Sequence, residues 1–458
     1  MNGGTGGMLE SASRSGPWAG LASRGRVRNV GKVISRGLGS YYEFDLLLSP
    51  VMERRLRVLQ IFNRYLEYGG EQGSVGRIGD ALQQFADAEY FFTSSDQLLG
   101  ERTPEAMVKA AAYAFHNPEV IRQLKRYQKL GRFDIWMIHN VFPAMSPSVY
   151  SLAFRLGIPV VQYLHNYRMS CVNGYFLNHG EACTSCIHGN FTKAALTGCW
   201  HDSRLISGWM GAVMMRVRAE GVFDKVAAWI AISNAQKDLH VQMGIPAERI
   251  EMLPHFAEVR PDLFIAEPGR DVLFVGRLSK EKGVEQLLDA WKRTDRGEAK
   301  LLVAGDGPEK AGLENKIAAE KIGGVEFLGF VEKEDQEAMW RRARFSVVPS
   351  IWQEPLGLVV FEAWERGRGV VVSDTGGLAD SVEDGVDGLK VPMRDADAWA
   401  AAMGKMLREP AKSTDMARTG IMKLHSDYSQ EKWLKRIRVI YDRVLGIKTR
   451  PTMDMMTG

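Results

Sequence analysis

The chain has 458 residues, 45% hydrophobic and 25% charged, which excludes a disordered or fibrous protein and fits two or three globular domains. The formal net charge of +4 reflects an excess of Lys and Arg in residues 1–55, so the remaining sequence shows no basic footprint for nucleic acid. No apolar run approaches the roughly 18 residues of a membrane span, and no apolar segment marks a secretory signal. We therefore expect a cytoplasmic protein.

Residues 1–54 are rich in Gly, Ser and Arg, which predicts a disordered basic extension. A buried strand is predicted at residues 56–62, followed by a loop that contains Gly69 and Gly70. Glycines after a first strand let the backbone approach a ligand closely, and a simple turn is the alternative.

Further apolar strands of the first half are predicted at residues 135–139, 159–163 and 228–232, with helical stretches between them. Polar residues stand at or just after the ends of these strands: His139, His165 and Ser233. Strand ends of parallel sheets face the ligand cleft, so these side chains are candidates for the site.

The second half repeats the alternation more regularly. Strands are predicted at residues 271–276, 300–304, 325–330, 345–350 and 369–373. Alternating strands and amphipathic helices predict parallel sheets that are covered on both faces. We therefore predict an α/β protein of two Rossmann-like doubly wound domains that face each other across a cleft.

The predicted domain limits follow from this alternation. The first domain is placed at residues 55–255 and the second at 256–427, followed by a helix at 428–446 and a flexible tail at 447–458.

The segment FSVVPSIWQEPLGLVVFEAWERGRGVVVSDTGG, at residues 345–377, is the most informative. Pro355 and Gly357 break the strand, and a helix is predicted from Leu358 onward. A helix N-terminus beyond a strand end is a natural seat for phosphate. Glu354 would lie beside that seat and Glu362 further along the helix, which suits a ligand with hydroxyls on both sides of a diphosphate.

The loop GRLSKEKG follows an earlier strand of the same predicted sheet. Gly276, Arg277 and Lys282 would place backbone amides and cations beside the same anion. A solvated charged loop is the alternative.

All four cysteines lie in residues 171–199, with the spacing C-x11-C-x2-C-x12-C. Four clustered thiols in a cytoplasmic protein favour structural zinc over disulfides, and free buried thiols are the alternative. The predicted metal ligands are Cys171, Cys183, Cys186 and Cys199.

The motifs FVGRLSKEKG, VAGDGP, FLGF, EPLGLVVFEA and SDTGG resemble the donor-domain series of glycosyltransferase family 4, whose members are retaining enzymes with the GT-B fold. The resemblance covers residues 56–446. The cysteine segment is similar to an insertion in polysaccharide-assembly members.

The resemblance implies a role for each matching residue. Arg277 and Lys282 would neutralise the diphosphate, while Gly276 would lie beside them. Glu354 would bind sugar hydroxyls and Glu362 the ribose. The remaining implied donor contacts are the amides near Gly357 and Leu358, His165 beside the sugar, and Ser233 near the phosphates. The implied catalytic residues are His165, Arg277, Lys282 and Glu354.

We therefore expect a retaining hexosyltransferase that transfers a sugar from a UDP- or GDP-linked donor to a saccharide acceptor. The expected acceptor is linked to a lipid, and no cofactor is expected to be needed for catalysis. A nucleotide-sugar epimerase is one alternative, with Glu71 as the carboxylate candidate in the first domain. A zinc-containing nucleic-acid-binding module is another.

A Met-rich apolar helix around Leu205, Ile206 and Trp209 could touch the inner face of a membrane, and an ordinary core helix is the alternative.

Overall fold

The computed structural model describes residues 55–64, 70–94, 103–257, 260–265, 267 and 269–447. The predicted extension at residues 1–54, Gly69, and all but the first residue of the predicted tail lie outside these described residues. Among the helices that are described, none has both the length and the apolar character needed to cross a bilayer.

The first half is built around a parallel sheet of six strands. Its order is β2-β1-β3-β4-β7-β8, and every neighbouring pair is parallel. The strands are β1 Leu56–Arg64, β2 Ala86–Ser94, β3 Ile135–Asn140, β4 Val160–Tyr163, β7 Ala228–Ala231 and β8 Ile250–Met252. A short antiparallel hairpin, β5 Leu177–Asn178 with β6 Glu181–Ala182, lies in the cysteine segment.

The second half repeats the same plan. Its parallel sheet has the order β11-β10-β9-β12-β13-β14. The strands are β9 Asp271–Val275, β10 Leu301–Ala304, β11 Val325–Gly329, β12 Ala343–Val348, β13 Gly369–Ser373 and β14 Leu389–Val391. The central strands are buried almost throughout, as expected for a sheet covered on both faces.

Helices cover these sheets and connect their strands. In the first half they are Gly70–Leu82, Pro104–Phe115, Pro118–Gly131, Ser148–Arg155, Thr192–Thr197, Arg204–Ala219, Val222–Lys225 and Asn234–Gln242. In the second half they are Val284–Trp291, Lys310–Glu320, Gln336–Arg342, Leu358–Glu365, Gly376–Ser381, Ala396–Arg408, Pro410–Asp427 and Gln430–Val444.

Several helices begin where the sequence supplies a capping side chain. Thr103, Asn117 and Ser203 each accept a hydrogen bond from a backbone N–H of the first helical turn. Such a cap satisfies one of the N–H groups that the helix itself leaves without an acceptor.

The last helix, Gln430–Val444, returns to the first half. Its Trp433 indole nitrogen lies 3.4 Å from the Tyr163 hydroxyl oxygen, and the Tyr441 hydroxyl lies 3.6 Å from the Met137 sulfur. These side chains belong to a buried apolar cluster that contains residues of both halves. The helix therefore links the two sheets through a shared core.

Candidate active site

The polar cluster of the second half that lies beyond β9 and β12 is built around an ion pair. Lys282 Nζ lies 2.8 Å from Glu354 Oε2 and 3.1 Å from Oε1. Ser350 Oγ and Trp352 Nε1 also donate to Oε2, at 2.8 and 2.9 Å. Glu354 is 7% exposed, so three donors hold a buried carboxylate in one orientation.

Two glycines bring the backbone segments of this cluster together. Gly283, at φ +70°, ends the turn that carries Lys282, and an added Cβ would lie 1.9 Å from the Pro349 carbonyl oxygen. Gly376, at φ +52°, follows β13, and its Cβ would lie 2.5 Å from the Glu354 carbonyl oxygen. Only glycine permits these contacts, because any side chain would collide with backbone.

Lys282 is held as a cation. Burial by itself lowers the pKa of Lys282, but the charges of Glu354 and Glu281 outweigh burial, and the net pKa is raised. Glu281 is itself buried and accepts a hydrogen bond from Ser279 Oγ at 2.5 Å. The loop thus carries a second carboxylate that the sequence did not single out.

The helix Leu358–Glu365 begins next to this pair. Its N-cap is Gly357, at φ +87°, which offers no side-chain hydrogen bond to the first-turn amides. Such a terminus can receive an anion because its N–H groups and the helix dipole both favour negative charge. Gly357 and Leu358 therefore lie where the sequence predicted a phosphate seat.

Glu362 lies on the same helix and keeps more than a third of its surface accessible. Surrounding protein nevertheless raises its pKa by desolvation, while Arg366 and Arg77 act in the opposite direction. Arg77 belongs to the first half, so the charge of Glu362 is felt across the two halves. Nothing in the local sequence of Arg77 indicated this, because the contact depends on how the halves meet.

Gly276 and Arg277 follow β9. The Gly276 amide donates to the Ala304 carbonyl oxygen at 3.0 Å, and Gly305 approaches so closely that its Cβ would lie 1.9 Å from the Gly276 carbonyl oxygen. Arg277 is exposed, next to the turn that carries Lys282. The structure thus places the predicted cations at one end of the sheet.

The first half contributes a cluster of aromatic and imidazole rings. His165 Nε2 lies 2.9 Å from His139 Nδ1, and the ring of His165 stacks with those of Tyr163 and His255 at centroid distances of 5.1 and 5.3 Å. Burial lowers the pKa of His165 to about 3 and that of His139 well below its ordinary value. Both imidazoles are therefore neutral at physiological pH.

Ser233 and Gly70 have simpler surroundings. Ser233 is buried and caps the helix Asn234–Gln242, its Oγ accepting from Gln236 N at 3.1 Å. Gly70 starts the helix Gly70–Leu82, and a Cβ there would meet open space. Gly70 is thus not required for a close backbone contact within the protein, and its predicted ligand role stays a prediction.

Comparison with known proteins accounts for this arrangement. The sequence profile described as "Glycosyl transferases group 1" matches residues 256–422, and the profile described as "Glycosyl transferase 4-like domain" matches residues 77–255. The chain belongs to the family 4-type glycosyltransferases. The alternative of a nucleic-acid-binding module does not fit this family.

Individual relatives match parts of this glycosyltransferase. It is 34% identical over 191 residues to a glycogen synthase of Mycobacterium tuberculosis, which covers 41% of this chain and 44% of the relative. It is 31% identical over 210 residues to the alpha-D-kanosaminyltransferase of Streptomyces kanamyceticus, which covers 42% of this chain and 54% of the relative. The matches thus span about half or less of each relative's length.

A solved structure extends the likeness to the whole fold. The Anabaena protein HepE, crystallised with UDP-glucose, superposes with a TM-score of 0.61 at 17% identity, covering 85% of this chain and 100% of that chain. The predicted GT-B fold is confirmed.

Glu71, in the first turn of the helix Gly70–Leu82, is a buried carboxyl on the first-half side. Its Oε2 accepts from Asn166 Nδ2 at 3.2 Å, while Oε1 is buried and has no hydrogen-bond partner among the described residues. Burial raises the pKa of Glu71 to about 8, against the opposing effects of Arg168 and the Asn166 hydrogen bond. The sequence pointed to Glu71 only as the carboxylate an epimerase would need.

The four cysteines of this glycosyltransferase line one small cavity, together with Lys193 and Ala194. Burial, and then the neighbouring thiols, raise the pKa of Cys186 to about 11 and that of Cys199 to about 12. In the described part of the chain, no group of three or more His, Cys, Asp or Glu side chains is arranged to hold a metal ion. The structure therefore does not support the predicted zinc site, because the thiols share a cavity without forming a coordination shell. The cysteines that line this cavity, and that the sequence predicted as metal ligands, are Cys171, Cys183, Cys186 and Cys199.

The cysteine segment contacts the donor-side loop instead. The ring of Tyr175 meets the edge of Trp352 at a centroid distance of 5.1 Å, and Trp352 is buried in the apolar cluster of the first half. The same indole donates to Glu354, so a first-half insertion helps to position a second-half carboxylate. No sequence pattern indicated this pair, because its two residues are 177 positions apart in the chain.

Proposed function

We propose that this protein is a retaining glycosyltransferase that moves a hexosyl group from a nucleotide-sugar to a saccharide acceptor. The observation that carries the proposal is the buried Lys282–Glu354 pair, 2.8 Å between Nζ and Oε2, beside the uncapped start of the helix that bears Glu362. In this proposal Lys282 and the helix amides bind the diphosphate. Glu354 accepts hydrogen bonds from the sugar hydroxyls, and Glu362 accepts them from the ribose hydroxyls.

The proposed chemistry breaks the bond between the sugar anomeric carbon and a diphosphate oxygen and forms a bond from that carbon to an acceptor oxygen. Negative charge grows on the departing diphosphate, where Arg277, Lys282 and the helix start stabilise it. The acceptor proton passes to the diphosphate oxygen on the same face of the sugar, which retains the configuration. Charge stabilisation by these fixed groups requires little rearrangement during the reaction.

Glu354 acts in this proposal as a positioning carboxylate for the sugar. Its Oε2 already accepts three hydrogen bonds, whereas Oε1 accepts only the longer one from Lys282. Oε1 therefore has capacity for a sugar hydroxyl, while a carboxylate held by three donors is a poor nucleophile. UDP is our first choice of nucleotide, supported by the complex of HepE with UDP-glucose.

We propose that the acceptor is linked to a lipid and that the protein meets it at the inner face of a membrane. Exposed apolar side chains occur on three helices of the first half, and the helices Pro104–Phe115 and Arg204–Ala219 are joined by a hydrogen bond from Trp209 Nε1 to the Ala111 carbonyl oxygen. These side chains are Met107, Val108, Leu196, Leu205 and Ile206. Exposed Lys109, Lys193 and Arg204 lie among them in sequence, which suits an anionic surface.

A nucleotide screen tests the donor site. Melting temperatures would be measured with UDP, GDP, ADP and UDP-glucose for the wild type, Glu362→Ala and the control Glu314→Ala, an exposed glutamate on another helix of the same half. One nucleotide should stabilise the wild type and the control but not Glu362→Ala. Equal stabilisation of all three proteins would contradict the assignment of Glu362.

The epimerase remains the second candidate because Glu71 places a carboxyl in the first half beside Asn166 and the neighbouring His165. The two functions differ in their products. A transferase releases nucleotide and lengthens an acceptor, whereas an epimerase returns a free or nucleotide-linked sugar of inverted configuration. Chromatography of a radiolabelled donor after incubation separates these outcomes.

A further inference from the structure

A chain of buried polar side chains runs beneath His165. Gln60, which is fully buried, places its Oε1 3.0 Å from His139 Nε2, and His139 Nδ1 lies 2.9 Å from His165 Nε2. Gln60 is on β1, His139 is on β3 and His165 follows β4, and these three strands are neighbours in the sheet. The sheet thus aligns polar residues that lie on, or just beyond, three neighbouring strands.

The hydrogen bonds of this chain have one direction. Gln60 Nε2 is buried and has no hydrogen-bond partner among the described residues, so Oε1 is the amide atom of Gln60 that bonds within this chain. The amide oxygen of Gln60 is then directed at His139 and accepts from Nε2–H. In a neutral imidazole one nitrogen donates and the other accepts, so His139 Nδ1 must accept from His165 Nε2–H.

We propose that Gln60 and His139 are positioning residues that fix His165 in its Nε2–H tautomer and leave its Nδ1 as a hydrogen-bond acceptor for a substrate hydroxyl. His165 Nδ1 has no hydrogen bond to any other residue that the structure describes. Stacking on Tyr163 and His255 fixes the plane of the ring. That the hydroxyl belongs to a sugar rests on the proposed function. The tautomer of His165 is independent of that function.

The tautomer can be measured directly. Long-range proton–nitrogen NMR spectra of the ¹⁵N-histidine-labelled full chain distinguish a protonated from a bare ring nitrogen, and His165→Asn assigns the signals. In the wild type we expect the same tautomer in His165 and His139, with the proton on Nε2 and none on Nδ1. A protonated Nδ1 on His165 would overturn the proposal, because it would mean that the Gln60 amide is turned around.

Variants of Gln60 test its role. Gln60→Leu removes the acceptor for His139, so His165 should populate both tautomers, whereas Gln60→Glu keeps an acceptor and should preserve the wild-type tautomer. The matched control is Gln162→Leu, a buried glutamine that donates to the His139 backbone carbonyl oxygen at 3.1 Å without touching its ring. An unchanged tautomer in a folded Gln60→Leu protein would overturn the proposal, as would a mixture in Gln60→Glu.

The ligand half of the proposal is tested with UDP-glucose and UDP as probes. UDP-glucose should shift the Nδ1 signal of His165 further than UDP does, because only the sugar adds hydroxyls. If UDP-glucose raises the melting temperature but leaves Nδ1 unmoved, the hydroxyl contact is wrong while nucleotide-sugar binding stands. If no nucleotide in the screen binds, the proposed function fails, and the tautomer result is still decided by the wild-type spectrum.

Discussion

The side chain of Glu354 illustrates how much of the site is prepared before any ligand arrives. Lys282, Ser350 and Trp352 all donate to its Oε2. A group that donors hold in a low-dielectric surrounding needs little reorganisation when charge develops nearby. We infer that the pair sets the position of the sugar while Lys282 serves the diphosphate.

Replacement of Lys282 by alanine should lower turnover of the nucleotide-sugar by about 10²–10³-fold, because one of the fixed charges facing the leaving diphosphate is lost. The variant should also lose on the order of 1–3 kcal/mol of stability, since Glu354 would keep a buried charge with only neutral donors. Release of nucleotide and thermal melting measure the two effects. Lys280→Ala, an exposed lysine of the same turn, is the control and should change neither.

Glu71 should make the stability of the protein depend on pH. The carboxyl ionises near pH 4.5 in the unfolded chain but is protonated up to about pH 8 in the fold, so the folded state is increasingly penalised as the pH rises through that window. Glu71→Gln removes the penalty. It should be more stable than the wild type by on the order of 1–3 kcal/mol near pH 8, and the two proteins should converge below pH 5.

Denaturant unfolding at several pH values measures this difference. Glu119→Gln, at an exposed first-turn position of the helix Pro118–Gly131, is the matched control. A difference between wild type and Glu71→Gln that does not vary with pH would show that Glu71 ionises normally.

At the scale of elements, the site depends on tight turns between strands and helices. The turn that carries Lys282 ends at Gly283, which packs against the carbonyl oxygen of Pro349, the first residue of the loop that carries Glu354. These two connections belong to neighbouring strands, β9 and β12. The glycine therefore determines how closely the ion pair's two loops can approach.

Gly283→Ala should destabilise the protein more than Gly297→Ala, although both glycines have a positive φ. The left-handed conformation costs alanine roughly 1–2 kcal/mol at either position. At Gly283 the added Cβ also meets a backbone oxygen at 1.9 Å, whereas at Gly297 nothing lies within 4 Å. Melting temperatures of the two variants measure the excess, and equal losses would mean that the loop yields without cost.

The sequence predicted the central elements well because their patterns are local. The apolar strand ending in Val347 and Val348 and the helix from Leu358 are found where the spacing predicted them, but Pro349 ends the strand before Ser350. Edge strands were missed: β2 alternates buried and exposed residues, and β8 and β14 have three residues each. Such short or half-polar segments resemble loops.

The residues of the candidate site likewise fall into those that a local sequence pattern predicted and those that it did not. Lys282, Glu354 and Glu362 could be named from motif spacing, and the structure brings the first two into contact. Arg77 and the Tyr175–Trp352 pair could not, because each depends on a contact between distant parts of the chain. The cysteine spacing suggested zinc, yet spacing alone does not fix how four thiols are oriented around a cavity.

For the molecule as a whole, the cysteine segment is the link between the first half and the donor loop. The Tyr175 ring braces Trp352, which in turn donates to Glu354. Further along the segment, Glu181 of the hairpin pairs with Arg394 of the second half, with 2.8 Å between Oε1 and Nη1. The insertion therefore contacts the second half at two separate places.

Tyr175→Ala should weaken binding of the nucleotide-sugar by roughly 2–10-fold, which corresponds to the about 0.5–1.5 kcal/mol of an aromatic pair. Tyr175→Phe keeps the ring against Trp352 and should bind like the wild type. Titration calorimetry with UDP-glucose measures both. A Tyr175→Ala protein with wild-type affinity would show that the insertion does not support the donor loop.

The buried position of Trp352 has a consequence for any motion between the two halves. Its indole belongs to the loop that holds Glu354, yet it is 6% exposed within the interior of the opposite half. Any hinge motion that parts the halves must withdraw this indole and expose it to water. Parting the halves and loosening the hydrogen bond from Trp352 to Glu354 would then be a single coupled event, so that one movement both uncovers the indole and frees the carboxylate.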